Sequence, residues 1–358
     1  MRRLFAALLP VALVLAAAGR AADLDAIFAP LAGPKTPGLA VLVRRDGHTV
    51  FERGYGVRDL RSMARINAQT NFRLASCTKQ FTAMAIMLLV DDGKLRYDQR
   101  LTDILPEFPA YGRAITIRHL LTHTSGLPDY EDLMPDGKWT AGHQIQDDEV
   151  LQLLEQQTAG KFAAGTKWAY SNSGYVVLGL IVGKLSGKPF GQFLDERIFE
   201  PLGMRHTLVF LRGRNEVSNR AYGYTKQDGR FIETDQSPTS ATQGDGGIYS
   251  NLEDLAKWDE ALESHKLLSE REMRPALTPV TLNDGSQPKA YGFGWFLDPF
   301  EGRARMWHTG ETMGFRTVIE RFTTDKLTIM VLSNRTDLDP EKLARGAARR
   351  AAGIRAGG

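Results

Sequence analysis

The chain has 358 residues, 42% hydrophobic and 24% charged, the proportions of a folded protein, which excludes a disordered, collagen-like or polytopic membrane chain. Its formal charge is +3, yet Arg2, Arg3 and Arg20 precede the first acidic residue, and setting these three aside from the 45 basic residues leaves 42 against 42 acidic ones. A balanced chain lacks the broad positive field that a phosphate backbone requires, and Arg345, Arg349, Arg350 and Arg355 form only a diffuse set, so nucleic acid is not an expected partner.

Met1-Arg2-Arg3 leads into an apolar run from Leu4 to Ala18 and then the small residues around Ala21. That is the order of a secretory signal peptide over residues 1–21. The run has 15 residues and contains Pro10, short of the ~20 apolar residues a spanning helix needs. The expectation is an exported protein, periplasmic or extracellular, with no membrane span in its mature form. Cys77 is the single cysteine, so no internal disulfide can form and the core must supply the stability.

From Gly38, two β-rich runs flank Asp46-Gly47, a strong hairpin signal. Ser76 opens a stretch that is apolar nearly all round and stops at Gly93, as in a buried helix with a glycine past its end. Between about Leu101 and Arg274 the patterns are helical, in the runs beginning at Asp148, Gly174, Phe190 and Ser250; Ser250 with Glu253 predicts a capping box. Strand patterns return in 291–298, 303–310, 315–324 and 327–334, and a helix from about Pro340 closes the chain. Strands at both ends with helices between them predict an α/β (α+β) fold, a mixed antiparallel sheet assembled from both chain ends with flanking helices and an inserted helical region. One domain is expected over 22–358, its sheet part about 22–75 and 285–358 and its helical part about 76–284.

Ser76 and Lys79 lie three apart at the start of the buried helix, which puts an amine beside a hydroxyl. A serine hydroxyl is a poor nucleophile until a base takes its proton, and a lysine whose pKa burial lowers can do so. Helix-start N–H groups, unpaired within the helix, can hold a developing oxyanion. Tyr170-Ser171-Asn172, in a turn before an apolar helix, adds a phenol that can relay a proton and an amide that can hold both a substrate carbonyl and the lysine. His308-Thr309-Gly310 ends a strand along which a substrate backbone can pair, with Gly310 allowing close approach. The next N–H, of Glu311, would complete an oxyanion hole with that of Ser76.

In this order, Ser-x-x-Lys, Tyr-x-Asn and His-Thr-Gly, the chain resembles the serine hydrolases that include class C β-lactamases, D-alanyl-D-alanine carboxypeptidases, penicillin-binding proteins and related esterases. The segments from Leu120 (LLTHTSGLPDY), Trp168 (WAYSNSGY), Pro201 (PLGM), Gly244 (GDGGIYSNLEDLAKW), Tyr291 (YGFGW) and His308 (HTGETMGF) are also similar to that family, so the likeness covers nearly all of residues 22–358. The resemblance implies a β-lactamase/transpeptidase-like fold and an acyl-enzyme on Ser76, with Lys79 and Tyr170 moving the proton and Asn172, His308, Thr309, Gly310 and Glu311 binding substrate. His308 stands where typical class C β-lactamases carry a lysine. A mostly neutral histidine attracts a substrate carboxylate less, which favours a D-amino-acid peptide or small ester over a β-lactam. A class C type β-lactamase is the rival within this chemistry, and a non-catalytic penicillin-binding or sensor module the rival outside it.

Other features carry less. His123 lies in no Gly-x-Ser-x-Gly elbow and reads as structural. The glycines around Asp245 match no phosphate loop and read as shaping a loop near the pocket. Scattered histidines and one cysteine give no metal cluster, so neither metal nor cofactor is expected. Cys77 reads as a small buried hydrophobe. Trp168 and Trp307 either line the pocket or fill the core, and Asn334 with Arg335 either binds a carboxylate or forms a solvated loop pair, the second being favoured. The loop from Asp129 to His143 is placed near the pocket mouth.

Overall fold

The computed structural model describes residues 22–351; residues 1–21, where a signal peptide is expected, and Arg355 lie outside them. The predicted hairpin is present. Strands β1 (Leu39–Arg45) and β2 (His48–Tyr55) meet at Asp46 and Gly47, with φ of +50° and +78°, a primed turn whose twist matches the strands. Helices α1 (Lys79–Asp91), α2 (Asn172–Ser186) and α3 (Leu252–Glu263) belong to the inserted helical region. The chain then returns to strands β3 (Arg305–Thr312), β4 (Phe315–Phe322) and β5 (Leu327–Ser333), and the described residues close with α4 (Pro340–Ala351).

The sheet order is β3-β4-β5-β1-β2, every pair antiparallel. β1 lies between the two ends of the chain, Val41 facing Val331 on one side and Arg53 on the other. Alternation along each strand gives the sheet two apolar faces. Leu39, Val41, Val43, Ile329 and Val331 pack with Phe28, Ala344 and Ala348 of the terminal helices. Ala40, Leu42, Met330 and Leu332 face the other way, into the large core that holds α1 and α2. A sheet covered on both faces needs such nearly continuous apolar strands. Helix α1 runs through that core and is buried at every residue from Lys79 to Leu89.

Three local expectations change. The segment from Tyr291 to Asp298 is not a strand; it makes only bridges of Tyr291 with Phe296 and of Phe296 with Trp307. Gly294, at φ +77°, turns the chain so tightly onto α1 that a Cβ there would sit 2.7 Å from the Lys79 carbonyl oxygen. The helix α3 cap is Asn251, whose side chain accepts from the Asp254 N–H, not Ser250. Ser250 still belongs to the short strand Ile248–Ser250, and its hydroxyl is shared with Thr207 at 2.7 Å.

Asn334 and Arg335 are neither a solvated pair nor a substrate clamp. Asn334 is fully buried, accepts from the Gly38 N–H at 2.8 Å and donates to the carbonyls of Tyr222 and Val57 at 2.9 and 3.2 Å. Arg335 is spent on both Asp337 oxygens and the Leu31 carbonyl. Together they stitch the end of β5 to the segments entering β1 and leaving β2. Replacing Asn334 with Ala strands several buried backbone groups, so a loss on the order of 2–4 kcal/mol is expected, read as a lower urea midpoint at unchanged slope.

Candidate active site

Ser76 sits in a single 3₁₀ turn, Ala75–Thr78, that leads directly into α1. Ala75, just before it, holds φ +47°, a conformation that costs a non-glycine residue energy and persists only where surroundings enforce it. Those surroundings are visible. The Leu74 N–H donates to the Ile248 carbonyl at 2.8 Å, and the Leu74 carbonyl accepts from the Thr317 hydroxyl of β4 at 2.9 Å. The same carbonyl explains Gly310: a Cβ there would lie 2.0 Å from the Leu74 oxygen. Gly310 is thus needed to seat the serine turn on edge strand β3.

Lys79 is completely buried, and its amine reaches three oxygens: Ser76 Oγ at 3.0 Å, Asn172 Oδ1 at 2.9 Å and the Asp245 carbonyl at 2.9 Å. Burial pulls its pKa down to about 8, because the charged form loses its hydration. Three acceptors match three ammonium protons. Once one proton leaves, the two carbonyl-type oxygens can accept only, so they keep the two remaining N–H bonds and the lone pair turns toward the Ser76 hydroxyl. Asn172 is brought here as the first residue of α2, capped by Ser171.

Tyr170 stands over the same amine, its ring centroid 4.9 Å from Lys79 Nζ. Its hydroxyl is buried without a hydrogen-bond partner of good geometry among the described residues. Burial pushes the phenol well above its ordinary value, and the neighbouring Ser76 hydroxyl acts in the opposite direction. His123 holds this tyrosine in place. Its ring lies 4.3 Å from that of Tyr170, its Nδ1 accepts from the Ser171 N–H at 3.1 Å, and its carbonyl accepts from the Ala169 N–H.

His308 is buried and points away from solvent. Its Nδ1 lies 2.6 Å from the Thr309 carbonyl and must therefore carry the proton, leaving Nε2 to accept from the Tyr291 hydroxyl at 3.2 Å. Burial, with the nearby Lys79, pulls its pKa down to about 3. No positive charge stands at this position at neutral pH. Thr309 is half-buried and Glu311 exposed, and Glu311 lines one cleft with Ser76, Asn172, Glu131 and Asp245.

The remaining candidates are structural. Burial drives the Cys77 thiol up to about 12, and its Sγ contacts the His308 carbonyl at 3.2 Å. Trp307 stacks on Phe296 and donates to Asp298, and Trp168 packs edge-on against His123. The glycine loop does shape the site, through the Asp245 carbonyl. That carbonyl, and Tyr130 behind it, had no signal of their own in the sequence beyond the loop that holds one and the segment that holds the other. Among the described residues no His, Cys, Asp and Glu side chains gather as a metal site would require.

A family model described as Beta-lactamase matches residues 24–354. The chain belongs to the β-lactamase family. This β-lactamase-family serine hydrolase is 34% identical over 312 residues to Penicillin-binding protein 4* of Bacillus subtilis (strain 168), covering 83% of the chain and 68% of that relative. It is 28% identical over 304 residues to a D-aminopeptidase of Gluconobacter oxydans (strain 621H), covering 83% of the chain and 56% of that relative. The chain spans only part of the length of these curated relatives. The crystal structure of D-amino acid amidase from Ochrobactrum anthropi SV3 complexed with L-phenylalanine amide aligns with a TM-score of 0.78 at 26% identity, covering 94% of this chain and 98% of that one.

His308 gives the family hydrolase a measurable acid signature. With a folded value near 3 against an ordinary 6.5, the unfolded chain takes up this proton well before the folded one. Its contribution is therefore full above about pH 6.5 and lost as pH falls toward 3. In His308→Gln, urea unfolding between pH 6 and 4 should show a stability slope shallower by about one proton, roughly 1.4 kcal/mol per pH unit.

Proposed function

We propose that this enzyme is exported, forms an acyl-enzyme on Ser76 and hydrolyses an amide or ester, best a D-amino-acid amide or peptide. The observation that carries the reading is the Lys79 amine, buried and anchored by two oxygens so that its third contact is Ser76 Oγ. Export rests on the Arg2-Arg3 pair and the apolar run from Leu4 to Ala18, with the periplasm or the medium as destination.

In the first step Ser76 Oγ bonds to the substrate carbonyl carbon while its proton passes to neutral Lys79. The carbonyl oxygen becomes an oxyanion, received by the Ser76 and Glu311 backbone N–H groups. Collapse breaks the bond to the leaving nitrogen or oxygen, which takes a proton from the Tyr170 hydroxyl as Lys79 returns one to Tyr170. Water then attacks the ester carbon, gives its proton to the same pair, and Ser76 leaves reprotonated.

Two features favour a D-amino-acid amide with a free amine over a β-lactam. Neutral His308 offers no charge to a substrate carboxylate, and the carboxylates of Glu131 and Glu311 border the cleft, where they attract an ammonium. Relatives named D-aminopeptidase and D-amino acid amidase fit the same choice.

The test is turnover of D-alanine p-nitroanilide by the purified protein. It should be hydrolysed, with kcat/KM rising as Lys79 loses its proton near pH 8, and Ser76→Ala should lose at least about a thousandfold. Intact-mass measurement after brief exposure to benzylpenicillin separates the rivals. A stable Ser76 adduct would point to a penicillin-binding peptidase, and consumed drug to a β-lactamase.

A further inference from the structure

Asp245 offers Lys79 more than its carbonyl. The loop that carries it is wedged between helices: a Cβ on Gly244 would lie 2.3 Å from the Tyr175 carbonyl oxygen of α2, and the Gly244 carbonyl accepts from Thr82 of α1 at 2.6 Å. The following turn is held by the Ile248 N–H, which donates to the Thr78 hydroxyl at 3.2 Å. In this fixed frame the Asp245 side chain is only 7% exposed. Its Oδ2 is 3.4 Å from the Tyr130 hydroxyl, a long contact, and its Oδ1 has no hydrogen-bond partner among the described residues. A buried carboxylate so sparsely satisfied is costly, and the fold's stability gives no reason to keep it.

Resting on the reading of Lys79 as the base, we propose that the Asp245 side chain is a positioning residue for the reaction: its incompletely satisfied carboxylate, held behind the carbonyl that anchors Lys79, fixes the amine's proton affinity. Burial alone would leave Lys79 neutral but so weakly basic that it could not take the Ser76 proton effectively. A neighbouring negative charge in a poorly solvated place restores basicity. Asp245 is the foremost charge raising the Lys79 value against desolvation, ahead of Cys77, Glu131 and Asp129. Glu131 is exposed to solvent, which screens its charge.

The other groups around the amine carry no competing charge. His123 and His308 are held neutral by burial, Tyr170 and Tyr175 present ring faces and buried phenols, and burial keeps the Cys77 thiol protonated. On its own far side Asp245 meets Tyr130, and its charge reaches Asp147, whose carboxyl burial pushes up to about 8, so that Asp147 keeps its proton at neutral pH.

The experiment compares the full mature protein with Asp245→Asn and Asp245→Glu. Lys79 is titrated directly by 13C NMR of ε-labelled lysine, its signal assigned by its loss in Lys79→Met, and the pH profile of Ser76 acylation by p-nitrophenyl acetate is followed by intact mass. In Asp245→Asn the Lys79 titration should move down by about one pH unit, with the acid limb of the acylation profile moving equally. Asp245→Glu should restore most of both. An unmoved Lys79 titration in folded Asp245→Asn overturns the proposal. A titration that moves while the acylation limb stays still supports the coupling of Asp245 to Lys79 and removes Lys79 from the role of base, so the two readings fail separately. If Asp245→Asn does not fold, Asp245→Glu decides: a titration displaced by more than half a unit with the charge retained counts against the proposal.

Discussion

Everything around the site serves one constraint: a primary amine must be kept dry and still be held by oxygen atoms on three sides. Desolvation makes Lys79 willing to lose its proton, and three fixed acceptors decide which way the resulting lone pair turns. Each acceptor arrives from a different part of the chain. Ser76 comes from the turn before α1, Asn172 from the start of α2, and Asp245 from a glycine loop more than 70 residues later. The tight approaches at Gly244, Gly294 and Gly310 are consequences of that convergence, since backbone must come closer to backbone than any side chain would permit.

Order around the amine is secured by groups that do no chemistry themselves. His123, buried and neutral, braces the Tyr170 ring and ties down the Ser171 N–H. Thr317 and Leu74 fix the serine turn to the sheet. Such a shell is what lets catalytic groups act without reorganising, the condition under which buried dipoles stabilise developing charge most effectively.

Much of this could be read from residue order. The hairpin at Asp46-Gly47, the buried helix after Ser76 and the return to strands near the C-terminus follow from turn chemistry and periodicity, and the Ser76, Lys79, Tyr170 and Asn172 grouping from motif order. What escaped was long-range. Period-2 alternation in 291–298 looks like a strand, yet Gly294 bends it onto α1. Ser250 and Asn251 are both good caps, and only the pairing of Ile248–Ser250 in a short sheet decides between them. Asn334 and Arg335 look like a surface pair because nothing local reveals that the chain segments at 37–38, 57–58 and 222 will close over them. The Asp245 carbonyl is invisible for the same reason, being a backbone atom whose importance is set wholly by what lies opposite.

The placement of β1 between β5 and β2 has a consequence for how the molecule comes into being. Leu39 pairs with Ser333, so a central strand made early waits for one made almost last, and nearly the entire helical region is synthesised while the sheet is still open. Pairings this distant in sequence make assembly slow. The C-terminal segment is therefore the keystone of the architecture: a chain cut short before Leu327 would lose the strand between β4 and β1, while every residue of the cluster around Lys79 was still present in its sequence.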